Sequence, residues 1–274
     1  MYPLSDVATD AFESRKAELK GDGTSGRWFS PLQLHVLPKL GKMPVSEIDQ
    51  RNIRDALASI WHDKAATARK AMDLLGICLR HAAALGLEVD IQATEKAKAL
   101  LGKQRHTVTN VPALHWQEVP AFYQSPDRGS LAELALRLFI LTGSRSGLLR
   151  KIHVDQIKAD VWTVPAEEMK GRKGVTMEFR GPLSKEAQRV IAEAGKFARD
   201  GYLFAGAKRG VISDMTMTAL MQRRGMKERP HGFRTSLSVW LEQTTNAPHD
   251  VAEMCFSHVI GSKTVQAYKP PDFL

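Results

Sequence analysis

Two arginines, two histidines and a tyrosine in the second half of the chain have side chains suited to phosphate chemistry. Arg145 ends the segment LTGSR, His231 and Arg234 belong to the segment HGFR, and His258 and Tyr268 follow. Attack on a phosphodiester increases the negative charge on its non-bridging oxygens, and a guanidinium stays protonated and donates to two such oxygens. A phenolic oxygen can be the attacking group. The set therefore predicts a protein that cuts and rejoins DNA.

The tyrosine needs help from its neighbours, because a phenol has an ordinary pKa of about 10 and is hardly ionised at neutral pH. Guanidinium groups would stabilise the phenolate, and a histidine would accept its proton. Arg234 follows His231 by three residues, so a helix would place both on one face. Taken singly, each arginine is explained as a surface ion-pair partner and Tyr268 as an amphipathic anchor. The prediction therefore depends on the ordered set.

The departing 5′ oxygen needs a proton, and Lys170 in a predicted hairpin turn is the natural donor. A lysine among cations can have its pKa lowered into a useful range, whereas an arginine hardly can. Lys173 lies in the same turn and is the alternative general acid.

The composition narrows the class of protein. The chain has 274 residues, of which 43% are hydrophobic and 25% charged, as is typical of a soluble globular protein with two domains. Its formal net charge is +9 at pH 7. This charge favours a polyanionic partner, because lysines and arginines that replace counterions condensed on DNA gain affinity by releasing them.

Cysteine usage and hydropathy indicate a cytoplasmic protein without membrane contact. Cys78 and Cys255 lie in apolar stretches without a CxxC spacing, so we predict small buried side chains in a reducing compartment. The N-terminal segment is charged and has no apolar core, so no signal peptide is expected. The most hydrophobic stretch, residues 131–141, contains Glu133 and Arg137 and is too short to span a bilayer.

The first half of the chain is predicted to be a small all-helical domain, residues 1–100. Apolar residues recur there with helical spacing, and no strand pattern is convincing. A glycine-rich turn at residues 21–26 ends the first helix, and Asp49 is predicted to cap the third. The predicted helices cover residues 4–20, 31–40, 50–62 and 65–85.

Residues 101–112 lack apolar periodicity and are predicted to be a linker. Its Lys103, Arg105 and His106 would suit a segment lying along a phosphate backbone, and a solvated hinge fits equally well. Residues 113–274 are predicted to form a mainly helical domain with one small sheet. Its predicted helices include residues 116–124, 130–141 and 184–197, and its strands cover 154–157, 161–164 and 175–179.

These motifs resemble the tyrosine recombinase (phage integrase) family, most closely the prophage and genomic-island integrases similar to that of satellite phage P4. The resemblance covers almost the whole chain, and the ordered set is specific although each single match is ordinary. The matching segments in the second half are LTGSR (141–145), Met169-Lys170 before GPLS (181–184), HGFR (231–234), Ser257-His258 and Ala267-Tyr268. In the first half they are Trp28, HVLP (35–38) and LGKMP (40–44).

The resemblance implies a fold and a set of partners. The fold would be mainly α, with a helical SAM-like core-binding domain and a mixed α+β catalytic domain of the DNA breaking-rejoining type with a small antiparallel sheet. The partner would be double-stranded DNA at attachment-site core sequences, held by a homo-tetramer, with accessory DNA-bending or excisionase proteins. The implied function is site-specific recombination that integrates or excises a mobile element.

The resemblance also implies a role for each site residue. Tyr268 would form a 3′-phosphotyrosyl link while the two arginines clamp the scissile phosphate. His231 would accept a proton or orient a reacting group, His258 would donate to a phosphate oxygen, and Lys170 would be the general acid. No metal or other cofactor is implied. The carboxylates of this half are interpreted as the solvated side of strands and turns: Asp155, Asp160, Glu167 and Glu168.

Three features depart from the family pattern. Leu148 stands where the family usually has an acidic residue, three positions after the first arginine. The chain ends six residues after Tyr268, where family members continue into a helix that docks on a neighbouring protomer, and it lacks the arm-binding domain of larger integrases. A trimmed chain, a naturally short member and a decayed copy that only binds DNA are the alternatives. A type IB topoisomerase, with nearly the same chemistry, is a further one.

Overall fold

A computed structural model describes residues 2–24, 27–105, 110–125, 129–171 and 176–257. Apart from a short turn after Lys170, the chain divides into two compact units between residues 109 and 110. The finer division into a domain at 1–100, a linker at 101–112 and a domain at 113–274 stays a prediction.

Within its described residues, the first unit contains helices joined by loops and turns and has no β-strand. Its sequence provides helix starts and apolar stripes but no alternating pattern that would favour a sheet. The helices are α1 (Leu4–Lys16), α2 (Ser30–His35), α3 (Leu37–Leu40), α4 (Gln50–Trp61), α5 (Ala65–Ala84) and α6 (Ala93–Leu101).

The start of α4 is fixed by a capping box, as the sequence predicts. The Asp49 carboxylate accepts hydrogen bonds from the backbone N–H groups of Arg51 and Asn52, at 2.8 and 2.9 Å. The Asn52 side chain in turn accepts from the Asp49 N–H at 3.0 Å. These bonds satisfy N–H groups that the first turn of a helix leaves without a partner.

Helix α5 forms the centre of the first core. Its apolar face, which includes Leu75, Cys78 and Leu79, is fully buried. Two predicted helices differ from the structure, one at its end and one by an interruption. The first stops at Lys16 rather than at residue 20, and the second divides at Val36 into α2 and α3.

The beginning of the predicted linker belongs to this unit. The Trp61 indole N–H donates to the carbonyl of Gly102 at 2.9 Å. The Gln104 amide donates to the carbonyls of Trp61 and Ala65, both at 3.0 Å. These hydrogen bonds connect Gly102 and Gln104 to the helices of the first unit.

The second unit combines helices with a small sheet. Its helices are α7 (Val119–Gln124), α8 (Leu131–Thr142), α9 (Ser146–Arg150), α10 (Lys185–Gly195), α11 (Thr216–Arg223), α12 (Gly232–Thr244) and α13 (His249–Cys255). Its strands are β1 (Ile157–Lys158), β2 (Val161–Val164) and β3 (Phe179–Pro182), in the antiparallel order β1-β2-β3.

The sheet confirms one predicted strand and corrects two. Strand β2 lies at the predicted position, whereas most of 154–157 is a 3-10 turn, Val154–Gln156. The third strand begins and ends later in the sequence than predicted. It pairs with β2 from Val161↔Pro182 to Val164↔Phe179. The pairing ends there because the next residue, Pro165, has no backbone N–H to donate. Residue 175 of the predicted strand lies outside the described residues.

The core of the second unit lies between α8, α10, α11 and the sheet. Phe139, Trp162 and Phe204 are its largest fully buried side chains. Within the described ranges, none of the helices combines the length and the apolar content that a bilayer crossing requires. The mainly helical fold class with a small antiparallel sheet agrees with the prediction.

Candidate active site

Arg145 lies in a turn between two helices. Helix α8 ends at Gly143, which has a left-handed backbone (φ 55°), and Arg145 is the residue that precedes α9. A Cβ on Gly143 would lie 2.6 Å from the Leu237 side chain, so both the conformation and the space favour glycine. The segment LTGSR therefore encodes a turn that places Arg145 at the start of a helix.

Arg234 lies in the first turn of α12 and is buried, with 7% of its surface exposed. Its guanidinium donates to the carbonyl of Gly143 and, at 3.0 Å, to the carbonyl of Phe256. The guanidinium carbon also lies 5.0 Å from the centre of the Phe256 ring, a cation–π distance. Arg234 thus connects the turn before Arg145 with the end of α13.

Arg145 is held by the same end of α13. Its guanidinium donates to the carbonyl of Ser257 at 3.1 Å. Consecutive carbonyls, those of Phe256 and Ser257, therefore each bind one of the two arginines. Three segments that are far apart in the sequence meet here, and each contributes backbone oxygens or a guanidinium.

Burial and mutual repulsion set the protonation of this cluster. Burial, followed by the charge of Arg145, lowers the pKa of Arg234 to about 10, and the nearby Glu253 carboxylate acts in the opposite direction. Burial also lowers the pKa of Arg145. Both arginines remain protonated at neutral pH, so the cluster presents two fixed positive charges.

His231 precedes α12 and is exposed at the edge of the arginine cluster. Partial burial, followed by the charges of Arg234 and Arg145, lowers its pKa below the usual value. The imidazole is therefore neutral near pH 7 and able to accept a proton. His231 lies three residues before Arg234, and the charges of both arginines act on its imidazole.

Lys170 is exposed and lies at the end of the turn that follows β2. In the ranges that the structure describes, it has no hydrogen bond and no ion pair that would connect it to the arginines. The alternative Lys173, as well as His258 and Tyr268, lie outside the described residues, so their predicted roles stay predictions.

The residue at the usually acidic position is part of the core. Leu148 is 5% exposed and packs among the buried apolar residues of the second unit. The local fold around Arg145 therefore uses an apolar contact at this position.

Two interpretations of side-chain environment need correction. Glu168 is not on a solvated side, because it is half-buried, one of its carboxylate oxygens has no partner among the described residues, and burial raises its pKa. Cys255 was expected to be buried, but it is exposed as the last residue of α13. Cys78 is buried as predicted, and burial raises the pKa of its thiol to about 12.

The groups that hold the arginines are backbone carbonyls at positions 143, 256 and 257, which no residue type in the sequence indicates. Ser257, two residues after the end of α13, has a left-handed backbone (φ 55°). Its hydroxyl is buried without a hydrogen-bond partner among the described residues. The described ranges contain no cluster of histidine, cysteine, aspartate and glutamate side chains that could hold a metal ion.

Comparison with known protein families accounts for both halves of the chain. The family model described as phage integrase central domain matches residues 4–99. The model described as phage integrase family matches residues 113–273. The fold and the sequence thus define a tyrosine-type recombinase, a class of DNA strand-transferring enzymes. The chain belongs to the phage integrase family. A closer relation to the P4-like group stays a prediction.

Solved structures share this fold at low sequence identity. A lambda integrase tetramer bound to a Holliday junction has a TM-score of 0.68 at 17% identity, and the match covers 96% of this chain and 79% of that chain. The Tn1549 transposon integrase in complex with circular intermediate DNA has a TM-score of 0.67 at 13% identity, covering 98% and 95% of the two chains. No curated protein sequence matches the chain.

Proposed function

We propose that the protein is a site-specific DNA recombinase that cleaves and rejoins strands through a 3′-phosphotyrosyl intermediate and so integrates or excises a mobile element. The observation that carries the proposal is the convergence of Arg145 and Arg234 on the carbonyls at the end of α13, with a neutral His231 beside them. Two fixed guanidiniums suit the charge that develops on a phosphate under attack.

The proposed reaction assigns one step to each group. The Tyr268 oxygen attacks phosphorus, its proton passes to His231, and the bond from phosphorus to the 5′ oxygen breaks. Lys170 gives the leaving oxygen its proton, and His258 donates to a non-bridging oxygen. The new phosphotyrosyl bond stores the broken linkage, so reversal with another 5′ hydroxyl rejoins strands without ATP.

The proposed partner is double-stranded DNA at an attachment-site core, bound by a homo-tetramer. Accessory DNA-bending or excisionase proteins and a cytoplasmic location belong to the same proposal. Because most contacts would reach phosphates, affinity should fall steeply when the salt concentration is raised about threefold. Binding that does not change with salt would contradict this mode of recognition.

A trapped covalent adduct tests the chemistry. Nicked suicide duplexes with randomised core sequence would be incubated with the protein, and protein–DNA adducts would be isolated under denaturing conditions and sequenced. We expect an adduct with the native chain and none with Tyr268→Phe at equal DNA affinity. An adduct that persists in Tyr268→Phe would overturn the assignment of the nucleophile.

A second candidate is a DNA-binding member that does not cleave, and Leu148 at the usually acidic position is the observation that favours it. This candidate predicts salt-dependent binding and no adduct with any duplex. Relaxation of a supercoiled plasmid that lacks the selected core sequence would instead favour a topoisomerase activity.

A further inference from the structure

The segment at residues 112–116, here called the strap, lies along α12, the helix that begins beside His231. The carbonyl of Pro112 accepts a hydrogen bond from the backbone N–H of Arg229 at 3.2 Å. The carbonyl of Leu114 accepts from the hydroxyl of Ser236. At the far end, the Trp116 indole N–H donates to the Gln243 side chain at 2.8 Å.

The spacing of these bonds shows that the strap follows the helix axis. Ser236 and Gln243 are seven residues apart, which is about two turns and returns to the same face of an α-helix. Pro112 and Ala113 lie next to residues 229 and 232, Leu114 is bonded to Ser236 and Trp116 to Gln243, so later strap residues contact later positions of the helix. The strap therefore contacts one face of α12 from just before its start to near its end.

The closest approach of the strap is at the glycine of the HGFR motif. A Cβ added to Gly232 would lie 2.7 Å from the Cα of Ala113 and would also collide with the carbonyl of Pro112. The strap thus occupies the space that any larger side chain between His231 and Arg234 would need. Rotation of α12 about its axis would bring other side chains into this contact.

The other motif residues are held from different directions. Phe233 stacks on Phe122, with ring centres 5.3 Å apart, and Arg234 donates to the carbonyls described above. His231 is the motif residue that remains exposed. The first turn of α12 is therefore fixed on several sides, and the strap provides the contact at Gly232.

We infer that the strap is a positioning element for His231 and Arg234, and that Ser236 is the positioning residue that fixes its register against α12. This inference rests on the proposed function. Ser236 is 4% exposed, and its hydroxyl donates the hydrogen bond that connects α12 to the Leu114 carbonyl of the strap. A displacement of reacting groups by about 1 Å can cost about a hundredfold in rate, so loss of this register should slow strand cleavage.

The test compares hydroxyl deletions at two positions of the same helix. In Ser236→Ala the Leu114 carbonyl loses its side-chain donor. In the control Thr244→Ala the lost hydroxyl donates only to Trp240 and does not touch the strap. We expect single-turnover adduct formation to fall by about tenfold to a hundredfold in Ser236→Ala, with DNA affinity within about twofold of the native value. Thr244→Ala should cleave at the native rate.

A milder pair of variants covers the case in which Ser236→Ala does not fold. Gln243→Leu removes the acceptor of the Trp116 N–H at an exposed position, whereas Gln243→Glu keeps an acceptor. We expect slower cleavage in Gln243→Leu and native cleavage in Gln243→Glu. Equal rates in both, measured well below the unfolding temperature, would overturn the inference.

A second readout does not depend on cleavage. Release of the strap should expose the first turn of α12 and move the pKa of His231 back towards its ordinary value, which NMR titration of the imidazole can measure. If the native chain forms no adduct but this shift occurs in Ser236→Ala or Gln243→Leu, the proposed function fails and the positioning role stands. If the native chain forms the adduct and the variants show neither slower cleavage nor a shift, the positioning role fails alone.

Discussion

The two parts of the candidate site that bear on phosphate chemistry are built in different ways. Arg145 and Arg234 are half-buried or buried, and backbone carbonyls hold both guanidiniums. Lys170 lies on an exposed turn, and the described part of the chain contains no partner for its ammonium group. Backbone carbonyls thus hold both arginines without DNA, whereas within the described residues no such contact holds the lysine.

This difference corresponds to the two tasks that we propose for these residues. Stabilising charge on a phosphate requires donors that do not reorganise during the reaction, because the gain comes from preorganisation. Delivering one proton requires only reach and a suitable pKa, which a flexible ammonium stem provides. Hydrogen bonds and burial therefore fix the arginines and not the lysine in the described part of the chain.

The largest effect is expected for Arg234→Ala. This change removes a buried charge and three contacts, with Gly143, Phe256 and its ring, so cleavage should fall by about a hundredfold to a thousandfold. Single-turnover adduct formation and DNA affinity should be measured on the same preparation. Arg223→Ala, at an exposed position of α11, is the matched control. Equal loss of binding and cleavage would mark Arg234 as structural.

A smaller loss, about a hundredfold, is expected for Lys170→Ala, because a general acid contributes at least this much. A duplex with a bridging 5′ phosphorothiolate should restore the rate, since a thiolate leaves without a proton. The folded state should be unaffected, because Lys170 is exposed. Rescue of Lys173→Ala but not of Lys170→Ala would transfer the role of general acid to Lys173.

The titration of the His231 imidazole tests how strongly the charges of Arg145 and Arg234 act on it. Its pKa is lower in the folded protein than in the unfolded chain, so the folded state binds fewer protons. Stability is therefore lost as the pH falls from about 6.5 through the lowered pKa, and this loss is absent above that window. In Arg145→Ala the His231 pKa should rise, measured by NMR against Arg223→Ala. An unchanged His231 titration in Arg145→Ala would show that the charge of Arg145 does not act on the imidazole.

The smallest effect is expected for Ser257→Gly. A left-handed backbone costs a non-glycine residue about 1–2 kcal/mol, partly offset by the greater freedom of glycine in the unfolded chain. The change also removes a buried hydroxyl that has no hydrogen-bond partner among the described residues. Denaturant unfolding should show a gain of about 1 kcal/mol, and Ser257→Ala should gain less. Cleavage should not change, because the carbonyl that binds Arg145 stays. A loss of cleavage would assign a role to the hydroxyl.

Local chemistry made most helices predictable from the sequence. Asp49 and Ser130 accept hydrogen bonds from the first turns of α4 and α8, and both helices begin at the predicted places. The third strand was placed wrongly because its ends depend on pairing with β2, which a sequence pattern does not contain. The sequence motifs identified the two site arginines. The backbone carbonyls that bind them could not be predicted, because every residue has a carbonyl with the same chemistry.

The use of peptide oxygens to hold the arginines has a consequence for sequence divergence. Every amino acid supplies such an oxygen, so both acceptors survive an exchange of the side chain at position 256 or 257, although a change at 256 also removes the ring that contacts Arg234. Insertion or deletion of a single residue between Arg234 and Phe256 would instead shift both acceptors together. In related sequences, the number of residues between Arg234 and Phe256 should therefore be more strongly constrained than the identity of those residues.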